Sequence, residues 1–158
     1  MRLLLALALA LALSAAPALA QAPATLAVNA TLVEACVAET PQGDLTPACI
    51  GAAAKECQQA PGGDTTIGIV ECVMGEHAAW DDALNREYRE TRAAYADDDT
   101  AAASLLAAQR AWIAWRDAEC AFQYDRYGGG SMRSVAAANC KMSMTAMRTL
   151  ELKALRGW

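Results

Sequence analysis

The chain of 158 residues carries 13 Lys and Arg against 18 Asp and Glu, a formal net charge of −5 with its one histidine neutral. That sign is wrong for a protein that grips nucleic acid or an anionic membrane, whose phosphates call for a basic face. The natural electrostatic match is a basic protein, and the length suits one domain built around one core.

The chain opens on Met1-Arg2, an apolar run from Leu3 to Leu13, and Ala18-Leu19-Ala20 just before Gln21. One positive charge, a short greasy middle and a small-x-small site read as a secretory signal peptide over residues 1–20. The run is too short for a bilayer, which needs about 20 apolar residues, and no later stretch approaches that without a charge. Gln21 in place of a cysteine gives no lipid attachment point. The expected product is therefore a single domain over 21–158, periplasmic or secreted, with no membrane anchor after cleavage.

From Ala22 to Thr46 the chain is Ala-rich and broken by Pro23, Pro41 and Gly43, which leaves room for one short helix between Leu26 and Glu39. Thr46-Pro47 reads as an N-cap with proline in the first helical position, starting a second short helix that runs to about Cys57. Pro61-Gly62-Gly63-Asp64 is a turn. Thr65 and Thr66 then offer a cap, and Ile69, Val73, Trp80, Leu84, Tyr88 and Tyr95 recur at helical spacing, predicting one long helix. Asp97-Asp98-Asp99 disfavours its continuation and suits the start of the next, because carboxylates favour helix N-termini. That next helix runs from Ala101 to about Tyr124, with Leu105, Leu106, Trp112, Ile113 and Cys120 on a broad apolar face. Gly128-Gly129-Gly130 breaks it. Ser131 can cap the last helix, which extends from Met132 to about Arg156 and is closed by Gly157. No strand alternation and no internal repeat occurs. The fold class is all-α: a small disulfide-stapled helical bundle of three main helices plus short N-terminal helices.

All six cysteines, Cys36, Cys49, Cys57, Cys72, Cys120 and Cys140, lie beyond the leader, where an oxidising compartment lets thiols pair. No C-x-x-C occurs and His77 is the one imidazole, so three disulfides are favoured over a metal site. Six cysteines allow fifteen pairings. Neighbours in sequence would staple adjacent helices, which favours Cys36 with Cys49, Cys57 with Cys72, and Cys120 with Cys140.

Catalytic constellations are absent from the residues. His77 has Asp81, not a second histidine, four residues on, so the zinc-protease pattern fails on ligand count. Ser104, Ser131, Ser134 and Ser143 lie outside any G-x-S-x-G elbow. The triple glycine lacks a Walker lysine and a preceding strand, and reads as a helix-to-helix turn. Asp81, Asn85, Arg110, Arg116 and Asp117 read as a structural polar network across the bundle, since arginine's fork suits interhelical carboxylates. No cofactor and no metal are expected.

Cys72, then Trp80-Asp81-x-x-Leu84-Asn85-x-x-Tyr88, then Gln109-Arg110-Ala111-Trp112-Ile113-x-x-Arg116-Asp117-x-x-Cys120, then Gly129-Gly130 and Cys140 resemble the LprI-type lysozyme-inhibitor-like domain. The resemblance spans about Cys57 to Leu155. Cys36 and Cys49 fall outside it, so residues 21–56 look like an N-terminal elaboration. It implies a small exported helical protein that inhibits lysozyme without turnover. The alternative is a structural or stress-related interaction module of the cell envelope with no lysozyme contact. The loop Tyr124-Asp125-Arg126-Tyr127 with Gly129 and Gly130 is the candidate partner-binding segment, combining aromatic anchors, an acid and a flexible backbone.

Overall fold

The computed structural model describes residues 26–157, so the expected leader and its cleavage point lie outside the described residues. Five helices and no strand are present among them: α1 Ala30–Glu39, α2 Ala52–Cys57, α3 Thr66–Ala94, α4 Asp99–Asp125 and α5 Met132–Ala154. The long helices α3 and α4 start where short polar side chains can take orphan amides. The Thr65 hydroxyl accepts from Gly68 N at 3.0 Å, and Asp98 Oδ1 accepts from Ala101 N at 2.9 Å. Asn29 Oδ1 does the same for α1, accepting from Thr31 N at 3.3 Å. At α5, Ser131 occupies the cap position but makes no capping bond with its side chain, contrary to expectation. That helix also ends at Ala154, short of Arg156.

The start of α2 corrects the sequence reading more instructively. Thr46 is not its cap: the Thr46 amide donates to Asp44 Oδ1 at 3.1 Å in a local turn, and the chain makes further turns through Pro47 and Ile50. The helix begins only after Gly51, whose φ of +92° is costly for any residue with a side chain. Its cap arrives from another helix. The Glu76 carboxylate of α3 accepts from Gly51 N at 2.7 Å through Oε1 and from Ala54 N at 2.6 Å through Oε2. Glu76 is fully buried, and its charge sits where the dipole of α2 is positive.

The last helix in sequence lies in the middle. One side of α5 packs along α3 and the other against α4, while α1 and α2 pack on α3. Between α3 and α5 the core holds Trp80, Ala83, Ala146 and Leu152, each essentially inaccessible to water. Threonines lie among them. The Thr149 hydroxyl sits 2.8 Å from Thr145 O within its own helix, and the Thr91 hydroxyl lies 2.8 Å from both Glu87 O and Leu152 O. Each of these two buried hydroxyls thus finds a backbone carbonyl in place of water.

Three disulfides join consecutive cysteines: Cys36–Cys49, Cys57–Cys72 and Cys120–Cys140. The second ties α2 to α3 and the third ties α4 to α5. Helix α1 is further held by charge. Arg86 on α3 pairs with Glu34 at 2.9 Å, and the Lys153 ammonium on α5 donates to Val37 O, Ala38 O and Thr40 O at the end of α1. A cation at a helix C-terminus takes up carbonyls that have no partner inside the helix. Gly75 makes room for the segment before α1, because a Cβ there would stand 2.6 Å from a methyl of Val28. None of the helices among the described residues is long and apolar enough to cross a membrane.

Candidate partner-binding surface

Helix α4 is the least enclosed of the long helices. Along its 27 residues only Gln109 and Cys120 are buried. The broad apolar face expected there is only partly used: Leu105, Leu106 and Trp112 are half-buried, but Ile113 is 41% exposed. The reason is geometric. With α5 its main neighbour, α4 has one seam to fill, and the rest of its circumference meets water.

Part of that seam is polar. Trp112 is flanked by two guanidinium groups, Arg116 at 5.1 Å and Arg148 at 5.9 Å from its ring. Arg148 donates to Gln109 Oε1 at 3.0 Å and pairs with Glu151 at 2.9 Å. Arg116 pairs with Asp117 at 2.9 Å and reaches to 4.0 Å from Asp81, which in turn accepts from Asn85 at 3.2 Å. The structure thus brings Asp81, Asn85, Arg116 and Asp117 together. Arg110 stands apart: it is exposed and makes no ion pair among the described residues. Gln109, named above only as part of the motif, and Arg148, not singled out, belong to this network; an arginine on α5 three residues before Glu151 was a visible signal.

His77 lies half-buried beside this network with Nε2 unpartnered. Burial pushes its pKa below 6.5, opposed by Asp81 and reinforced by Arg116 and Lys141. Among the described residues, no group of three or more His, Cys, Asp or Glu side chains is placed to hold a metal ion.

The loop after α4 is more firmly braced than three glycines suggest. Gly128 N donates to Asp125 O at 2.9 Å and Gly130 N to Tyr127 O at 3.3 Å. The Arg133 guanidinium lies 4.7 Å from the Tyr124 ring and donates to Gly128 O, while Arg126 covers Tyr127 at 5.4 Å. Tyr124 is therefore half-buried scaffolding. Asp125, Arg126 and Tyr127 face solvent, with Gly129 and Gly130 beside them.

Large exposed apolar side chains are concentrated here. They are Ile67, Ile113, Trp115, Phe122, Tyr127 and Met132, and all but Ile67 fall within residues 113–132. Ile67 joins the same region, since it lines a shallow groove with Gly129 and Gly130. Trp115 and Phe122 are each 58% exposed. Trp115 and Phe122, seven residues apart, share one side of α4, whereas Ile113 lies on another.

These features define a small, disulfide-stapled helical protein with several exposed aromatic side chains along α4 and the turn that follows it. The chain belongs to the LprI lysozyme-inhibitor family, whose model matches residues 57–152. It is also 37% identical, over 95 residues covering 53% of this chain and 68% of the relative, to an uncharacterized protein of Rhizobium meliloti (strain 1021). No solved structure matches. The family match takes in α3, α4 and α5 as far as Leu152, with their connections, and leaves outside it α1 and all of α2 but Cys57. Family and disulfides together point to a place outside the cytoplasm.

Proposed function

We propose that the protein is an exported lysozyme inhibitor that works by docking, with no turnover of its own, and that residues 21–158 act as one domain. The observation that carries this reading is the concentration of exposed Trp115, Phe122, Tyr127 and Met132 around the α4–α5 turn, on a chain whose family is described as lysozyme inhibitors. Aromatic side chains supply large contact area at low entropic cost and dominate binding hot spots. A turn already hydrogen-bonded in the free protein costs less to order on binding.

The acidic balance of the chain matches a basic target and speeds encounter, while the aromatic surface supplies affinity. The Tyr124–Gly130 segment serves as the leading edge, with Tyr127 and Asp125 in contact and Tyr124 as its brace.

The test is the rate at which a c-type lysozyme clears bacterial cell walls, with and without the oxidised protein, at low and moderate salt. Saturable inhibition that weakens with salt supports the reading. No inhibition at large molar excess overturns it and favours an envelope interaction module of another kind.

A further inference from the structure

Between α4 and α5 runs an open groove of about 500 Å³. Trp115 and Tyr127 form two of its walls, Glu119 and Gln123 lie between them on α4, and Asn139 faces them from α5. We infer that this groove receives an arginine or lysine side chain of a basic protein partner, with Glu119 as the counter-charge and the aromatic rings of Trp115 and Tyr127 as its walls. This rests on the inhibitor reading and deepens it by naming the chemistry of the partner's contact group.

Charge favours a cation first. Glu119 is the one formally charged side chain among the residues that line the groove, and the nearest internal cation described, Arg126, stays at the rim over Tyr127. The hydrogen-bonding capacity left over points the same way. Gln123 Nε2 donates to Glu119 Oε1 at 2.7 Å, and Asn139 Nδ2 donates to Val135 O at 2.9 Å. Each of those amides keeps a second N–H, and the Tyr127 and Ser143 hydroxyls also line the groove, while Glu119 Oε2 and Asn139 Oδ1 meet no internal donor among the described residues. The one charged group it offers is an acceptor, the Glu119 carboxylate. A guanidinium or ammonium group has only donors and can meet those free acceptors, whereas a carboxylate or phosphate would face the like charge of Glu119.

The walls suit the same guest. Trp115 at 58% and Tyr127 at 45% exposure present ring surface to water that the core does not need. Cations seat favourably over aromatic faces, Trp above all. The rim shows this pairing already: the Arg126 guanidinium lies 5.4 Å from the Tyr127 ring and donates to Gln123 Oε1 at 3.0 Å. The floor is apolar, formed by Met144 against the Cys120–Cys140 disulfide, so it suits the methylene stem of a long cationic side chain.

The experiment is a titration of the oxidised, isotope-labelled protein with a capped tri-arginine peptide, followed by NMR, with a tri-glutamate peptide as control. The expected result is saturable shifts of the Trp115 indole N–H and of the Gln123 and Asn139 side-chain amides, absent with tri-glutamate. Glu119→Gln should weaken binding at least fivefold and Trp115→Ala likewise, with circular dichroism unchanged. Shifts centred elsewhere, for example on Asp97 to Asp99, or shifts insensitive to Glu119→Gln, would overturn the inference. Lysozyme clearing by the same variants separates the two readings. Peptide bound in the groove with no lysozyme inhibition by the unmodified chain sinks the inhibitor reading alone. Equal inhibition by the unmodified chain and both variants sinks the groove alone.

Discussion

Trp80 and Glu76 stand one turn apart on α3, and the indole Nε1 of the first donates to Oε1 of the second at 2.9 Å. The largest side chain of the core thereby orients the carboxylate that caps a different helix. Three donors converge on one buried acid, so the junction of α2 and α3 depends on it. Glu76→Ala strands two backbone amides and an indole N–H, and should cost about 3 kcal/mol in urea unfolding. Glu76→Gln keeps an acceptor oxygen and should lose less. Hydrogen exchange at Gly51 and Ala54 is the local check: both amides should exchange faster in the variants, and protection equal to the parent chain would contradict the capping role.

Helix α4 buries so little that the Cys120–Cys140 bridge should matter more to it than to the rest of the bundle. Replacing both cysteines by alanine removes a constraint worth about 3 kcal/mol by chain-entropy reasoning. The loss should be local, with exchange rising along α4 while α3 amides keep their protection. Uniform acceleration across both helices would show instead that the bundle unfolds as one unit.

His77, whose pKa is lowered first by burial, gives the fold a pH dependence. In the unfolded chain the imidazole takes up its proton near pH 6.5, while the folded protein resists until lower pH. Stability is therefore fully present above pH 6.5 and falls as the pH drops through that value toward the depressed folded pKa. Thermal midpoints measured from pH 8 to 5 should decline less steeply in His77→Gln than in the parent chain. Parallel curves would mean that other groups carry the whole decline.

Tyr127 is exposed, lies in the turn, and makes no hydrogen bond with its side chain that the fold requires. Tyr127→Ala should leave stability within about 0.5 kcal/mol of the parent's in thermal unfolding, as surface changes generally do. Lysozyme inhibition should fall about tenfold or more, the ordinary size of an aromatic hot spot. Asp125→Ala should have a smaller effect that shrinks as salt rises. Unchanged inhibition by both variants would remove the turn from the contact.

Much of the architecture was legible because local signals agreed with it. Thr65, Asp98 and the Pro61–Asp64 turn each mark a boundary with short-range chemistry, and consecutive cysteines turn out to be partners. The start of α2 was not legible, because its cap is a glutamate 22 residues away from Ala54 and no local pattern announces a cap from another helix. The exposed side of α4 was hidden for a similar reason. Ile113 was expected on the apolar face yet is exposed, and only the position of α5 shows which apolar residues have no partner. Arg110 failed as a network member because a helix has several polar faces, and the one it occupies points to water.

Every disulfide here joins a cysteine to the next cysteine along the chain. A polypeptide that enters an oxidising compartment N-terminus first meets its oxidant in that same order: Cys36 then Cys49, Cys57 then Cys72, Cys120 then Cys140. Pairing each thiol with the next to emerge yields the native set directly, with no wrong bridge to break and reshuffle. Under the proposed export, such a chain needs only a catalyst of oxidation, because its pairing order already matches its order of emergence.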